Sequence, residues 1–146
     1  MNWTENAKSD LMDYAVKKAG RDNLIQRIAE LTDQMDNLKA VDLTKDRVQG
    51  GTQGNDALLA IIDEKTRLEQ NLRMVSDFVD GMERGMKSLT DEEKAVLEAA
   101  YINGRPSGRY VEEVCIKINY SDRMVDYIRR DALKKFTMAR YGIVEG

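Results

Sequence analysis

Two runs of apolar residues with a seven-residue repeat constrain the fold of this chain more than any other feature of its sequence. The first run steps alternately by four and three residues from Leu24 to Leu38, and the second does so from Ile61 to Leu89, with Lys65 as its one charged member. This spacing places every member of a run on one side of an α-helix. The only proline, Pro106, lies outside both runs. We therefore predict an all-α fold.

The segment from Asp42 to Asp56, between the two runs, is rich in glycine and short polar residues. It predicts a flexible loop that lets the two helices fold back as an antiparallel hairpin or coiled coil. A further helix is predicted from Thr4 to Ala19, with a break at Gly20. Gly81 and Gly85 predict a hinge after the second run, because glycine disfavours a helix interior. The apolar stripes form either a helical-bundle core or a surface for dimerisation or docking.

A third helix is predicted to begin at Thr90, because Glu93 follows three residues later and the two can form a capping box. Val96, Leu97 and Ala100 fall on one side of this helix. The sequence Gly-Arg-Pro-Ser-Gly from residue 104 to 108 then ends it. With the residues that follow, this helix completes a predicted trihelical unit.

The stretch Val111–Arg130 has the pattern of a helix-turn-helix, in which two short helices cross over a tight turn. Asn119 suits the turn because it tolerates left-handed backbone, and Ser121 suits the cap of the second helix. Tyr120 is expected to pack between the helices, and Cys115 to be a small buried residue at their crossing. The apolar positions expected to face inward are Val114, Cys115, Ile118, Val125, Ile128 and Ala132.

The opposite face of the second helix carries hydrogen-bonding side chains where a recognition helix meets base edges in the major groove. We expect Arg123 and Arg130 to read or clamp DNA. Asp122 and Asp126 either accept hydrogen bonds from cytosine or set the angle of the helix. Arg129, Lys134 and Lys135 are expected to contribute mainly charge. The full candidate set for DNA binding is Ser121, Asp122, Arg123, Asp126, Tyr127, Arg129, Arg130 and Lys134.

Three stretches resemble region 4 of sigma factors, which reads the −35 promoter element: Ser-Leu-Thr-Asp-Glu-Glu at 88–93, Val-Leu-Glu-Ala-Ala-Tyr at 96–101 and Tyr-Ser-Asp-Arg-Met-Val at 120–125. With the helical N-terminal half and Val-Gln-Gly-Gly-Thr at 48–52, the chain resembles the RinA/ArpU group of phage late-gene transcriptional regulators. The resemblance implies activation of late genes through host RNA polymerase. It also implies DNA contacts by Ser121, Arg123, Tyr127 and Arg130.

Charge is distributed unevenly along the chain. The total is −3, yet residues 101–141 hold nine Lys or Arg against five acids, a net of +4, whereas the first hundred residues carry −6. A basic segment beside an acidic one favours contact with nucleic acid by the basic part. The alternative interpretation is a solvated helix surface that is basic by chance.

The side chains present argue against an enzyme and predict no cofactor and no metal. The chain has no histidine and one cysteine, which leaves no Ser-His-Asp or Cys-His arrangement and no structural zinc site. A single cysteine forms no internal disulfide and suits the cytoplasm of a bacterial host. The sequence also shows neither a secretory signal nor the ~20 apolar residues that span a bilayer.

We therefore expect residues 1–87 to form a helical hairpin for oligomerisation or polymerase docking, and residues 88–146 to form a sigma-region-4-like DNA-binding domain. The expected partners are double-stranded DNA, host RNA polymerase and further copies of the chain. Two alternatives stay open. One is a phage terminase small subunit, which recognises packaging sites. The other is a helical interaction protein that does not touch DNA.

Overall fold

The computed structural model of the chain describes residues 2–44, 51–102, 114–115 and 120–143. All regular structure in these ranges is helical, as predicted. Val114 and Cys115 have helical backbone. Asn119, Ile118 and the predicted break at 104–108 lie outside the described residues. The elements are α1 (Trp3–Thr44), α2 (Gly51–Met86), α3 (Asp91–Leu97), a π-helical turn (Glu98–Ile102) and α4 (Asp122–Tyr141).

The helix α1 runs without interruption for 42 residues, so the predicted break at Gly20 is wrong. A single glycine costs about 1 kcal/mol in a helix interior relative to alanine, which a helix of this length tolerates. Part of the predicted loop is helical instead, because α1 extends to Thr44 and α2 begins at Gly51, and residues 45–50 lie outside the described residues. Residues 42–44 at one end of the predicted loop and residues 51–56 at the other are therefore helical.

The chain forms two compact units. The paired-helix unit contains residues 19–76, and the terminal unit contains residues 1–18 together with residues 77–146. These units do not divide at residues 87 and 88, where the sequence pattern suggests a functional boundary. Instead, the beginning of α1 and the end of α2 belong with the C-terminal helices, because their apolar residues share one core with them.

The core of the terminal unit draws on α1, α2, α3, the π-helical turn and α4. Leu11, Met82 and Phe136 are fully buried in it. The Tyr141 hydroxyl at the end of α4 donates to Asp10 in α1. Burial, as the larger cause, and this hydrogen bond together raise the pKa of Tyr141 to about 12. The buried residues of this core are Ala7, Leu11, Met82, Leu89, Leu97, Ala100, Tyr101, Ala132, Leu133 and Phe136.

Two glycines of α2 bring that helix close to α4. A Cβ atom built at Gly85 would lie 2.9 Å from Cε2 of Phe136, and one at Gly81 would meet the Arg140 guanidinium. The helix continues through both positions to Met86, so the predicted hinge is wrong. Gly85 is required by the close approach of the Phe136 ring and not by flexibility of the backbone.

Two matched substitutions separate these roles of glycine. Gly20→Ala should raise the free energy of unfolding by about 0.5–1 kcal/mol, because alanine favours the helix and no atom lies within 4 Å of the new methyl group. Gly85→Ala should lower it by about 1–2 kcal/mol, because the methyl group overlaps the buried Phe136 ring. Urea unfolding of both variants measures this. A stabilising Gly85→Ala would show that the two helices are not in close contact there.

In the paired-helix unit, the heptad positions of α1 and α2 are buried only in part. Leu31 is 1% exposed, whereas the other heptad residues of this unit are half-buried. Arg27 of α1 donates to Glu64 of α2 at 3.2 Å. Met74, near the end of this unit, is 71% exposed. Within the described part of the chain, no helix offers an apolar stretch able to span a bilayer.

Candidate nucleic-acid interface

The N-terminus of α4 begins where the sequence predicts. Ser121 has extended backbone, with φ −70° and ψ 162°, and its hydroxyl accepts from the Met124 amide at 3.3 Å. The predicted cap is therefore confirmed. Asp122 follows in the first turn, where a carboxylate complements the helix dipole. At the other end, Gly142 has φ 75° and its amide donates to the Met138 carbonyl, which ends the helix.

The inward face of α4 is fixed by two clusters of apolar residues. Val125 packs with Val96 of α3 and Val114, the described part of the first predicted motif helix. Ala132 and Phe136 lie further along in the core of the terminal unit. The predicted inward positions Val125 and Ala132 are thus confirmed, and Ile128 is half-buried beside them. This packing determines which side of α4 faces solvent.

Four candidate residues form an outward-facing row along α4. Arg123, Tyr127, Arg130 and Lys134 follow one another at steps of four, three and four residues, which places them on one side of the helix. All four are exposed, with 62% exposure for Tyr127 and 64% for the Arg130 side chain. Among the described residues, Arg123 and Lys134 form no ion pair. We call these four residues the basic row.

Asp126 lies beside the basic row and holds two arginines. Its Oδ1 accepts from Arg129 Nη2 at 2.8 Å, and its Oδ2 lies 3.0 Å from Arg130 Nη2. The hydrogen bond from Arg129 lowers the pKa of Asp126, and the positive charges of both arginines add to this effect. These contacts orient the two arginine side chains, a role that the sequence did not predict, and both predicted roles of Asp126 stay predictions.

Arg129 lies on a different side of α4 from the basic row. Its side chain is 22% exposed, and its Nη1 donates to the hydroxyl of buried Tyr101 at 2.8 Å. Lys135, another cation expected to add charge, pairs with Glu93 at 3.1 Å and with Asp131 at 3.2 Å. Arg129 therefore connects α4 to the π-helical turn, and Lys135 connects it to α3. The basic row contains the remaining cations of the candidate set.

Two further residues of the motif are described, and one of them differs from expectation. Cys115 is half-buried and not fully buried, because its Sγ is directed to the start of α4 and donates to Asp122 Oδ1 at 3.3 Å. Val114 occupies the core position instead, with 3% exposure. Tyr120 is 37% exposed, and its hydroxyl donates to the Glu92 carboxylate at 3.2 Å. Tyr120, the residue before the cap, is thus connected to α3, and its expected packing between the motif helices stays a prediction because most of the first helix lies outside the described residues.

The pair of Glu93 and Lys135 is a part of the site that sequence patterns do not show. The capping box is confirmed, since Thr90 and Glu93 exchange hydrogen bonds between side chain and backbone. The same carboxylate, which is 7% exposed, also holds Lys135. Burial raises the pKa of Glu93, but the backbone hydrogen bond of Thr90 and the bond from Lys135 outweigh this, and the net pKa is lowered.

Stability should therefore depend on Glu93 at acid pH. Because the folded pKa lies below the ordinary 4.5, the unfolded chain binds more protons, and the stabilisation present above pH 4.5 is lost as the pH falls through the folded value. Glu93→Gln should cost about 1 kcal/mol at neutral pH and flatten this loss. Urea unfolding from about pH 3, where carboxyl groups titrate, to about pH 7 measures this dependence of stability on pH. Glu98→Gln controls for the lost charge, and equal acid profiles for wild type and Glu93→Gln would contradict the assignment.

The geometry thus presents a capped helix whose inner face is packed and whose outer face carries guanidinium, phenol and ammonium groups. These groups donate hydrogen bonds to phosphate oxygens and to base edges. The DNA-binding roles of the candidate residues stay predictions. Comparison with protein-family models, with curated proteins and with solved structures gave no match to this chain.

Proposed function

We propose that this chain is a sequence-specific DNA-binding protein that regulates transcription, with α4 as its recognition helix. The observation that carries the proposal is the basic row of Arg123, Tyr127, Arg130 and Lys134 on the exposed side of α4. A helix of 20 residues is about 30 Å long, which is enough to lie in a major groove and reach the flanking phosphates.

The order of residues along the basic row fits this role. Arg123 lies two residues after the cap, at the end of the helix that approaches base edges in helix-turn-helix proteins. Tyr127 and Arg130 follow in the middle, where a ring can contact a thymine methyl group and a guanidinium can donate to guanine. Lys134 lies furthest from the cap and suits a phosphate. The row therefore has groups for both base reading and backbone contact.

The biological setting comes from the resemblance to sigma region 4 and to the RinA/ArpU regulators. On that basis we propose that the protein activates phage late genes together with host RNA polymerase, in the cytoplasm of the bacterial host. The trihelical arrangement of residues 88–146 is part of this proposal. So is the helical hairpin of residues 1–87 as the element that oligomerises or docks on polymerase.

Selection of DNA by the purified full chain tests the proposal. A library of random duplexes should yield an enriched sequence at moderate salt, because base contacts add to the salt-dependent attraction of phosphates. A promoter carrying that sequence should then change reporter output when the protein is present. Enrichment without reporter change would favour a packaging-site protein over a regulator. Absence of binding even at low salt would reject DNA binding and leave a helical interaction protein.

We also propose that the chain acts as a homo-oligomer, because one short recognition helix reads few base pairs and two-fold symmetry doubles the site. The selected sequence should then contain two inverted half-sites. Sedimentation of the full chain on a duplex with both half-sites should give two chains per duplex. A single half-site, bound by one chain at every concentration, would contradict oligomerisation and leave DNA binding itself intact.

A further inference from the structure

A continuous series of hydrogen bonds joins the core of the terminal unit to the basic row. Tyr101, which is 8% exposed in the π-helical turn, accepts from Arg129 Nη1 at 2.8 Å. Arg129 donates to Asp126 Oδ1 from Nη2 at 2.8 Å and from Nε at 3.3 Å. Asp126 Oδ2 then lies 3.0 Å from Arg130 Nη2. The two oxygens of one carboxylate thus bond to one half-buried and one exposed arginine.

The Asp126 carboxylate restricts the Arg130 side chain, because its other oxygen is already bonded to Arg129. An exposed arginine samples many rotamers, and an exposed ion pair between neighbouring turns of a helix adds little to stability. Asp126, however, is held in place by two hydrogen bonds from Arg129, whose own guanidinium is fixed by Tyr101. The carboxylate is therefore a rigid acceptor that selects one orientation of the Arg130 guanidinium.

The elements that hold Tyr101 are rigid as well. Its ring belongs to the main core of the terminal unit, with Leu97, Ala100 and Leu133. The π-helical turn that carries it is an uncommon local structure that is frequent at functional sites. The position of the Tyr101 hydroxyl is thus fixed by packing and does not depend on the ion pairs.

We propose that Tyr101, Arg129 and Asp126 are positioning residues that orient Arg130 for one base pair of the DNA site. This inference rests on the proposed DNA-binding function and adds that the sequence preference at Arg130 depends on a buried hydroxyl outside the interface. Asp126 acts through Arg130 and does not itself accept from a base. Preorganisation of this kind reduces the ordering that binding would otherwise require.

The test compares Tyr101→Phe with the wild-type full chain on the selected site and on a random duplex. Tyr101→Phe keeps the ring in the core and removes the hydroxyl, and it should reduce the ratio of specific to random binding about fivefold. Binding to random DNA and the salt dependence should stay unchanged, because no cation is lost. Tyr14→Phe is the matched control, since it removes a hydroxyl bonded to Glu83 at 3.2 Å in the same unit. It should leave the ratio unchanged.

A double-mutant cycle shows whether the effect passes through Arg130. In an Arg130→Ala background, Tyr101→Phe and Asp126→Asn should cause no further loss of the ratio. Asp126→Asn removes a negative charge and should tighten binding to every duplex, so the ratio is its informative measure. A ratio within twofold of wild type for Tyr101→Phe, or an equal loss with and without Arg130, would overturn the inference. If the wild-type chain selects no sequence, the proposed function fails together with it.

Discussion

Arg123→Ala should weaken binding to the selected DNA site by about 1–3 kcal/mol, or roughly 5- to 150-fold, while binding to random duplexes changes little. Arg123 is exposed near the capped end of α4 and forms no ion pair with any other described residue, so its guanidinium is available for base edges. Fluorescence anisotropy on both duplexes at several salt concentrations measures the two affinities.

Lys134→Ala serves as the matched control from the same exposed row. It should weaken specific and random binding alike and lower the slope of log affinity against log salt by about one, because a single phosphate contact is lost. If Arg123→Ala binds its site as the wild type does, α4 is not the recognition helix. If instead both variants lose random and specific binding equally, the basic row supplies charge only.

Leu11→Ala should destabilise the terminal unit by about 2–5 kcal/mol, the cost of removing a fully buried leucine side chain. Leu11 is 0% exposed and packs in one core with residues of α3 and α4, although it lies near the start of the chain. Loss of this stability should therefore appear as loss of DNA binding on warming. Thermal unfolding followed by circular dichroism, with DNA binding measured in parallel, checks both effects.

Met12→Ala provides the comparison one residue further along α1. Met12 is 49% exposed, so its truncation should change the free energy of unfolding by less than about 0.5 kcal/mol. Similar unfolding curves for Leu11→Ala and Met12→Ala would show that residues 1–18 do not contribute to the core that holds α4.

The elements that sequence patterns predicted correctly are those with local signals. Thr90 with Glu93, and Ser121 before α4, satisfy backbone donors within three residues of themselves, so their chemistry is visible in a short window. The inward positions Val125 and Ala132 follow from helical periodicity in the same way. Local order of this kind also predicts the outward side of α4, which is the basis of the candidate DNA-binding set.

The contacts that sequence patterns missed join residues far apart in the chain. Nothing within a short window relates Tyr101 to Arg129, 28 residues later, or Gly85 to Phe136. Gly20 and Gly85 are the same type of residue in opposite surroundings. A Cβ atom at Gly20 would meet nothing within 4 Å, whereas one at Gly85 would meet the Phe136 ring. Periodicity shows that a residue faces inward but does not identify its partner, and this is why the boundary of the terminal unit was not predicted.

The two-segment construction of the terminal unit has a consequence for its biosynthesis. Residues 19–76 are contiguous and can associate as soon as they leave the ribosome, whereas Asp10 must wait for Tyr141, 131 residues later. Closure of so long a loop makes the unit's folding slow relative to helix formation. Translation through α4 thus precedes formation of the core that holds it, and residues 1–18 expose their apolar side until then.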